Sequence, residues 1–240
     1  MHIPDGYLGP QTYAPLWALM IAAWSWASRV VSKTLKSYQV PLLAIGAAFS
    51  FVIMMFNVPI PGGTTGHAVG GALVAIILGP WAAMIAISVA LVVQALLFGD
   101  GGITAIGANC FTMGVVLPFV AWWTYRLIAG SSDVGSRRRV LAAAVAGYVS
   151  LNAAALATAV LFGVQPIIAH APNGQPLYAP YPLAIAVPVM AIEHLVLFGF
   201  IEAIVTGLVV AYLQRADASL LEDGARRPKT AVLTPKESDI

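Results

Sequence analysis

The first two residues of the chain, Met1 and His2, carry donor atoms at a spacing that suits a metal ion. A metal bound by the terminal amine, the deprotonated amide nitrogen of His2 and the imidazole Nδ1 of His2 closes a five-membered and then a six-membered chelate ring. These nitrogens lie in one plane, and tetragonal nitrogen sites favour Ni(II) or Cu(II). Because ionising a backbone amide requires a metal of this kind, the pair discriminates against Zn, Mg and Ca. The fourth corner needs one further neutral imidazole.

His67 is the residue that we expect to fill this corner. It follows the stretch Pro61-Gly62-Gly63-Thr64-Thr65-Gly66 and precedes Gly70 and Gly71. Ionisable residues at membrane depth usually line a cavity or a substrate path, because burying them unpaired is expensive. The flanking glycines are expected to let another backbone, that of the N-terminus, approach closely. A capping or core histidine is the alternative. A nucleotide loop is excluded, since it would need Lys followed by Ser or Thr after the last glycine.

A second glycine-rich element runs from Asp100 to Asn109. The polar groups of Asp100, Thr104 and Asn109 are candidates to orient His2 or His67 from behind, which would set the tautomers of the imidazoles. A plain turn followed by a helix cap explains the same residues equally well. Both interpretations stay open at the level of the sequence.

Other polar residues are weaker candidates for a functional role. Glu193, His194 and Glu202 lie in the last run, where a charge needs a reason. His194 and Glu202 are two helical turns apart and can share a face, which leaves a proton path open. Polar packing is the favoured interpretation. His170 is expected to be solvated in a long outer loop. The single Cys110 excludes an intrachain disulfide and is expected to pack as a small hydrophobe.

The elements that must position these residues follow from the composition. Of 240 residues, 60% are hydrophobic and only 9% are charged, whereas a soluble globular domain carries about 25% charged residues. No water-soluble fold can bury that much apolar surface, so we expect a membrane protein. Because each spanning helix needs about 20 mostly apolar residues, the chain suffices for one compact helical membrane domain.

Long apolar runs separated by glycine, proline, asparagine or charge clusters predict an all-α, polytopic transmembrane bundle of about seven helices. The predicted helices span residues 13–31, 40–56, 64–79, 81–98, 103–128, 139–165 and 182–213. We place the membrane domain at 1–213. Residues 214–240 are polar, charged and interrupted by proline, and we interpret them as a disordered cytoplasmic tail.

The basic residues predict the orientation of the bundle. With the N-terminus outside, an odd number of helices puts the C-terminus inside, and all 12 Lys and Arg residues then fall on the inner side. The outer segments, which contain none, are residues 1–12, 57–66, 99–102 and 166–181, as the positive-inside rule requires. The start of the chain lacks the basic stretch of a cleaved signal peptide, and Met1 is expected to be retained because His2 is large.

Residues 1–8, 61–67 and 100–109 together resemble the NikM/CbiM family. This family comprises the substrate-specificity components of energy-coupling factor transporters for nickel or cobalt, which are related to ATP-binding-cassette transporters. The resemblance covers roughly residues 1–213. It implies ligation by the amine of Met1, the amide nitrogen and imidazole of His2, and the imidazole of His67, which matches the ring counting above.

The resemblance also implies a substrate and partners. Ni(II) or Co(II) would be the transported substrate, with no permanent cofactor. The sequence Ile3-Pro4-Asp5-Gly6 is similar to that of the nickel branch of the family. The implied partners are ATP-binding subunits, a transmembrane coupling subunit and a small accessory membrane subunit, with no nucleic acid. The implied location is the inner membrane of a prokaryotic cell, crossed several times.

Two other classes of function are conceivable for a chain of this composition. An intramembrane serine hydrolase would need a Gly-x-Ser-x-Gly-like setting, but Ser150 is followed by Leu151 and no histidine lies in its helix. We therefore predict that the chain is not an enzyme and has no ATPase of its own. A self-sufficient metal channel or a proton-coupled metal carrier is the alternative, and uptake by the chain alone in vesicles without ATP would favour it.

Overall fold

A computed structural model describes residues 1–223, which are mainly helical. The helices are α1 (Pro10–Thr34), α2 (Val40–Met54), α3 (Gly71–Leu78), α4 (Pro80–Val93), α5 (Ile106–Asn109), α6 (Leu117–Ala129), α7 (Arg137–Gly163), α8 (Gln165–Ile168), α9 (Leu183–Glu193), α10 (Gly199–Ala216) and α11 (Ser219–Asp223). A short antiparallel hairpin joins β1 (Val58–Pro59) to β2 (Thr65–Gly66). The all-α prediction is confirmed.

Three long helices contain a π-helical turn, in which the hydrogen bonds span one residue more than in an α-helix. These turns are Gln94–Phe98 after α4, Cys110–Val116 between α5 and α6, and His194–Phe198 between α9 and α10. Such wide turns are frequent at functional sites, because they displace side chains from the regular helical phase. Each of these begins at or next to a buried polar side chain: Gln94, Asn109 and His194.

A helix lies in every segment where one was predicted, but the lengths differ. Within residues 1–223, five helical stretches are long and apolar enough to cross a membrane. The helix α1 has 25 residues but is not among these five, because its tryptophans and serines lower its mean hydropathy. The helix predicted at 64–79 is α3, which has only 8 residues. At about 1.5 Å per residue, α3 by itself covers less than half of about 30 Å of hydrocarbon, so a crossing by this segment must include the non-helical residues before α3.

The late start of α3 has a local cause at Gly70. This glycine has φ 73° and ends an extended segment, whereas residues 65 and 66 pair with β1 instead of continuing a helix. Residues 71–76 are all buried, and α3 packs among α4, α6 and α7. The helix α3 is therefore an interior element that carries His67 just before its N-terminus.

The bundle is apolar on the outside and carries polar side chains inside. Large hydrophobic side chains such as Leu97, Leu127 and Leu208 are exposed on its surface. A water-soluble protein avoids such extensive apolar exposure, whereas hydrocarbon is a favourable neighbour for these groups. The distribution agrees with the transmembrane bundle that the composition predicted.

The predicted tail begins with helical residues. The helix α10 continues to Ala216, and α11 packs against α3 and α10, where Leu221 is 1% exposed. The physical reason is that Leu220 and Leu221 supply apolar surface in an otherwise polar stretch. The remainder of the predicted tail, residues 224–240, lies outside the described residues.

The close contact between α1 and α5 gives a test of this packing. A Cβ on Gly107 would lie 2.8 Å from the backbone nitrogen of Trp17, so Gly107→Ala should force α1 away. We expect overpacking of about 1–3 kcal/mol, which exceeds the gain in helix propensity and lowers the melting temperature by several degrees. Tryptophan fluorescence of the purified protein in detergent measures the transition.

The control is Gly135→Ala, because nothing lies within 4 Å of a Cβ there and its φ is not positive. An unchanged melting temperature for Gly107→Ala, together with an unchanged control, would show that α1 is not held against α5 by close backbone packing.

Candidate metal site

The N-terminal segment, residues 1–9, is inserted into the bundle by its first three residues, whereas its turn at Asp5 and Gly6 is exposed. Met1 and Ile3 are 0% exposed, and Leu8 is 3% exposed. Ile3 is held by Asn109, whose Oδ1 accepts from the Ile3 nitrogen at 2.9 Å and whose Nδ2 donates to the Ile3 oxygen at 3.1 Å. The backbone nitrogen of Gly102 also donates to the Ile3 oxygen at 2.9 Å. These bonds hold the segment at Ile3, two residues after the terminal amine of Met1.

The amine of Met1 and the amide of His2 share one partner, Thr65. The amine donates to the carbonyl oxygen of Thr65 and, at 2.8 Å, to its hydroxyl. The His2 amide donates to the same hydroxyl at 3.2 Å. The two nitrogens that would close the five-membered chelate ring therefore face the same side of the segment.

The imidazoles of His2 and His67 come together from distant parts of the chain. Their ring centroids are 4.6 Å apart and their planes are inclined by 27°. The Nε2 of His2 lies 3.2 Å from Oε1 of Gln94, and the Nδ1 of His67 lies 3.0 Å from the carbonyl oxygen of Ala68. Each ring thus has one nitrogen engaged by the protein.

The other nitrogen of each ring is buried and has no hydrogen-bond partner: Nδ1 of His2 and Nε2 of His67. Most buried polar atoms have a hydrogen-bond partner, so two unpartnered nitrogens on neighbouring rings need an explanation, and a metal ion is one that suits their lone pairs. The orphaned atom of His2 is the one that ring counting requires as a ligand. The donors are thus suited to a metal, while the planar four-nitrogen geometry stays a prediction, because the rings are stacked.

The electrostatics favour neutral donors. Burial, reinforced by the nearby N-terminal charge, lowers the pKa of His2 to about 3. Burial also lowers the pKa of the Met1 amine and that of His67 well below their ordinary values. A metal ligand must be deprotonated to offer its lone pair. These shifts favour the neutral form of both imidazoles and of the amine, which is the form that a metal can use.

Among the three candidate supporting residues, only Asp100 approaches an imidazole. Its Oδ1 lies 3.4 Å from Nδ1 of His2, and its Oδ2 accepts from Asn57 at 2.9 Å. Burial raises the pKa of Asp100, although the N-terminal charge and Asn57 oppose the shift. Asn109 holds the backbone of Ile3 instead of a ring. An effect of these residues on the tautomers stays a prediction.

Thr104 acts further from the rings. Its backbone nitrogen and hydroxyl donate to Asp5 at 2.9 and 2.5 Å, and its carbonyl oxygen accepts from Trp17 at 2.8 Å. The two bonds that Thr104 donates to Asp5 lower the pKa of the Asp5 carboxyl, and the bond from the hydroxyl contributes most. Thr104 therefore anchors the N-terminal segment at Asp5 and contacts neither His2 nor His67.

The glycines that admit the N-terminal backbone are not the ones expected. Around His67, side chains occupy the space: Phe198 packs against Gly66 and Phe49 against Gly70. The inserted segment instead lies against Gly102, where a Cβ would overlap the backbone of Asp5. The expectation for the glycines beside His67 was wrong, because aromatic rings from α2 and from the π-helical turn after α9 fill those positions.

Sequence reasoning missed two residues, Thr65 and Gln94. Thr65 lies two residues before His67, and its type alone gives no sign that it binds the N-terminus. Gln94 is a carboxamide inside the apolar run Pro80–Phe98 and is 0% exposed. An uncharged amide at such a position was the available signal, since a buried amide needs partners.

The remaining polar residues of the last apolar run take part in packing. The Oε2 of Glu202 accepts from the backbone nitrogens of Val69 and Gly70 at 2.8 and 2.9 Å. The buried His194 engages the carbonyl oxygen of Met190 at 2.8 Å. These contacts agree with the polar-packing interpretation. Glu193 is partly exposed.

Two other candidates lie away from the donor atoms. His170 is exposed in the loop after α8, and the free Cys110 is buried. Within residues 1–223 no group of three or more His, Cys, Asp and Glu side chains is placed to hold a metal. A metal beside His2 and His67 would therefore need the backbone nitrogens as well.

The fold and the site define a multi-pass helical membrane protein whose own N-terminus is buried beside two histidines. The family described as "Cobalt uptake substrate-specific transmembrane region", CbiM, matches residues 2–220. The chain belongs to this family, which confirms the resemblance noted from the sequence. It is a membrane component of the family's nickel and cobalt transport systems.

Individual relatives agree with this membership. The chain is 57% identical over 221 residues to the fused nickel transport protein NikMN of Rhodobacter capsulatus, covering 92% of this chain but only 64% of that protein. It is 48% identical to a putative metal transport protein of Methanocaldococcus jannaschii, covering 92% of this chain and 94% of that one. A crystal structure of a truncated transition metal transporter superposes with TM-score 0.85 at 54% identity, covering 89% of this chain and 98% of the other.

The anchoring of the N-terminus at Ile3 gives a test of the site architecture. Asn109→Ala removes both side-chain bonds to Ile3, at a cost of about 1–3 kcal/mol. We expect the Met1 amine to become exposed about tenfold more often, or more. Mass spectrometry of the N-terminal peptide measures how fast an amine-reactive reagent labels Met1 at neutral pH. The matched control is Asn173→Ala in an exposed loop. Equal labelling rates in Asn109→Ala and the unmodified protein would contradict the anchoring role.

Proposed function

We propose that this chain is the substrate-binding component of an energy-coupling factor transporter and captures Ni(II), or Co(II), from outside for ATP-driven uptake. The observation that carries the proposal is the pair of unpartnered buried nitrogens, His2 Nδ1 and His67 Nε2, beside the buried amine and amide of the N-terminus. The metal is the transported substrate and not a resident cofactor.

The chemistry of capture follows from the donor set. The Met1 amine, the His2 amide and His2 Nδ1 would hold the ion in two fused chelate rings, and His67 would complete the site. Binding must remove the amide proton, which only a strongly polarising metal of the nickel or copper type can do at neutral pH. The dry surroundings would then strengthen the attraction between the donors and the ion.

Nickel is favoured over cobalt because an all-nitrogen, planar set with an ionised amide suits Ni(II). The names of two relatives support this choice. The Rhodobacter capsulatus relative is named a fused nickel transport protein, and so, as probable, is one of Lactiplantibacillus plantarum with 45% identity. The family description, in contrast, names cobalt.

Uptake against a gradient would require partners that supply energy. We propose ATP-binding subunits, a transmembrane coupling subunit and a small accessory membrane subunit in a prokaryotic inner membrane. The relatives named as fused support a further component, since this chain covers only 64% and 69% of their lengths. The proposed orientation has the N-terminus outside and the C-terminus inside, as the basic residues predict.

The proposal predicts that His67→Ala abolishes tight nickel binding without unfolding the protein. Losing one of four ligands should weaken binding by more than about 100-fold, beyond the effect of an outer partner. Nickel titration of the purified chain, with circular dichroism as the check on folding, measures this. The matched control is His170→Ala, since His170 is exposed and away from the site. Stoichiometric nickel at unchanged affinity in His67→Ala would refute the ligand assignment.

Adding one glycine before Met1 tests the ring counting. The amine, two amides and the imidazole of what is then the third residue would complete a planar set from the tail alone, a geometry that Ni(II) accepts. Because Met1 is 0% exposed, the added residue must displace the terminus from its site. We therefore expect nickel binding to persist independently of His67 while uptake by the assembled transporter fails.

The comparison requires nickel affinities with and without His67→Ala in the native and the extended chain. If His67→Ala weakens both chains equally, the ring-counting account of the site is wrong.

A further inference from the structure

Gln94 lies at the far side of the His2 ring from the expected metal. It is the first residue of the π-helical turn after α4 and is 0% exposed. Its Oε1 lies 3.2 Å from Nε2 of His2, and its Nε2 donates to the carbonyl oxygen of Phe51 at 3.4 Å. A buried amide is thus held between a ring nitrogen and a backbone acceptor.

The contact with Phe51 settles which end of the amide faces the histidine. A backbone carbonyl oxygen only accepts hydrogen bonds, so the amide nitrogen of Gln94 must point towards Phe51. The amide oxygen is then directed at Nε2 of His2. Because this oxygen also only accepts, the ring nitrogen that it meets must carry a hydrogen.

A metal-ligating imidazole is neutral and carries one ring proton, and the hydrogen bond of one ring nitrogen decides which nitrogen is free. With the proton on Nε2, the lone pair of Nδ1 is free. Nδ1 is the nitrogen that the six-membered chelate ring requires. It is also the nitrogen of His2 that has no hydrogen-bond partner.

Asp100 works in the opposite direction. Its Oδ1 lies 3.4 Å from Nδ1 of His2, so a proton on Nδ1 would be attracted to this carboxylate. The two residues are linked, since the backbone nitrogen of Asp100 donates to the backbone oxygen of Gln94 at 3.1 Å. The π-helical turn and the loop that follows it thus present one acceptor to each nitrogen of the ring, and the single ring proton can be bound by only one of the two.

We infer that Gln94 is a positioning residue that holds the His2 proton on Nε2 and thereby keeps Nδ1 available for the metal. The inference deepens the proposed function and rests on it for the identity of the ligand. Gln94 does not touch the metal in this account. Its contribution passes through the tautomer and orientation of His2.

The test uses the purified full-length chain with three substitutions. Gln94→Met keeps the approximate shape and removes the acceptor, whereas Gln94→Glu keeps an oxygen towards His2. Gln214→Met is the matched control, because Gln214 donates to the backbone oxygens of Val134 and Ser136, away from the site. The first measurement is the imidazole ¹⁵N shifts of the metal-free protein, which distinguish the tautomers, with His2 assigned by its loss in His2→Ala.

We expect the Nε2-protonated form in the unmodified protein, in Gln94→Glu and in Gln214→Met, and a shift towards Nδ1 protonation in Gln94→Met. The second measurement is affinity for Ni(II) alone. Gln94→Met should lose about 10- to 100-fold, the range typical for outer partners of metal ligands. Gln94→Glu should restore most of this loss, which a role in packing alone would not predict.

Two results would overturn the inference: Nδ1 protonation of His2 in the unmodified metal-free protein, or unchanged tautomer and nickel affinity in Gln94→Met. Failure of the proposed function is distinguishable. It would appear as weak nickel binding by the unmodified chain or as tight binding by His67→Ala, while the tautomer measurement uses no metal.

Discussion

Insertion of a chain end into the bundle is costly, because each backbone N–H and C=O that leaves water needs a partner in the protein. The structure meets this constraint at successive positions. Thr65 accepts from Met1 and His2, Asn109 pairs with Ile3 in both directions, and the backbone nitrogen of Ala179 donates to Tyr7. The rest of the site depends on this segment, since it supplies the amine, the amide and one imidazole together.

The same constraint explains the residues that border the segment. Gly102 leaves room for the backbone of Asp5, and Gly101, with φ 91°, lies against the ring of His2. The carboxylate of Asp5 accepts from two successive backbone nitrogens, at Ile103 and Thr104. The second glycine-rich element therefore packs closely around the inserted chain end. Its polar residues form hydrogen bonds mainly with that chain end and not with the imidazoles.

His67 is held from the other side by a different set of contacts. It precedes the short helix α3, and Glu202 binds the two backbone nitrogens just before that helix. Glu202 belongs to α10, which continues to the end of the bundle and packs with α11. The two halves of the site are thus carried by separate elements, and a metal bridging them would tie the N-terminal segment to α3 and α10.

The helical bundle and the candidate metal ligands could be predicted from the sequence. The apolar runs predicted the helical bundle, because burial in hydrocarbon depends on local composition. Met1 and His2 emerged as candidate ligands from chelate ring sizes, which are properties of adjacent covalent bonds, and His67 emerged from its place in the glycine-rich stretch. The extent of α3 could not be predicted, since the run at 64–79 gives no clear sign of where its helix begins, and only the pairing of β2 and the turn at Gly70 shorten the helix.

Tertiary structure alone decided the surroundings of the donors. Gln94 is 92 residues from His2 and Thr65 is 64 residues from Met1, so no local pattern connects them. It also decided that Asp100 faces a ring, that Thr104 binds Asp5, and that Gly101 and Gly102, rather than the glycines beside His67, lie against the N-terminal segment. A sequence specifies donor types and short-range geometry, whereas the protonated nitrogen of a buried imidazole is set by partners that meet it only when the helices pack.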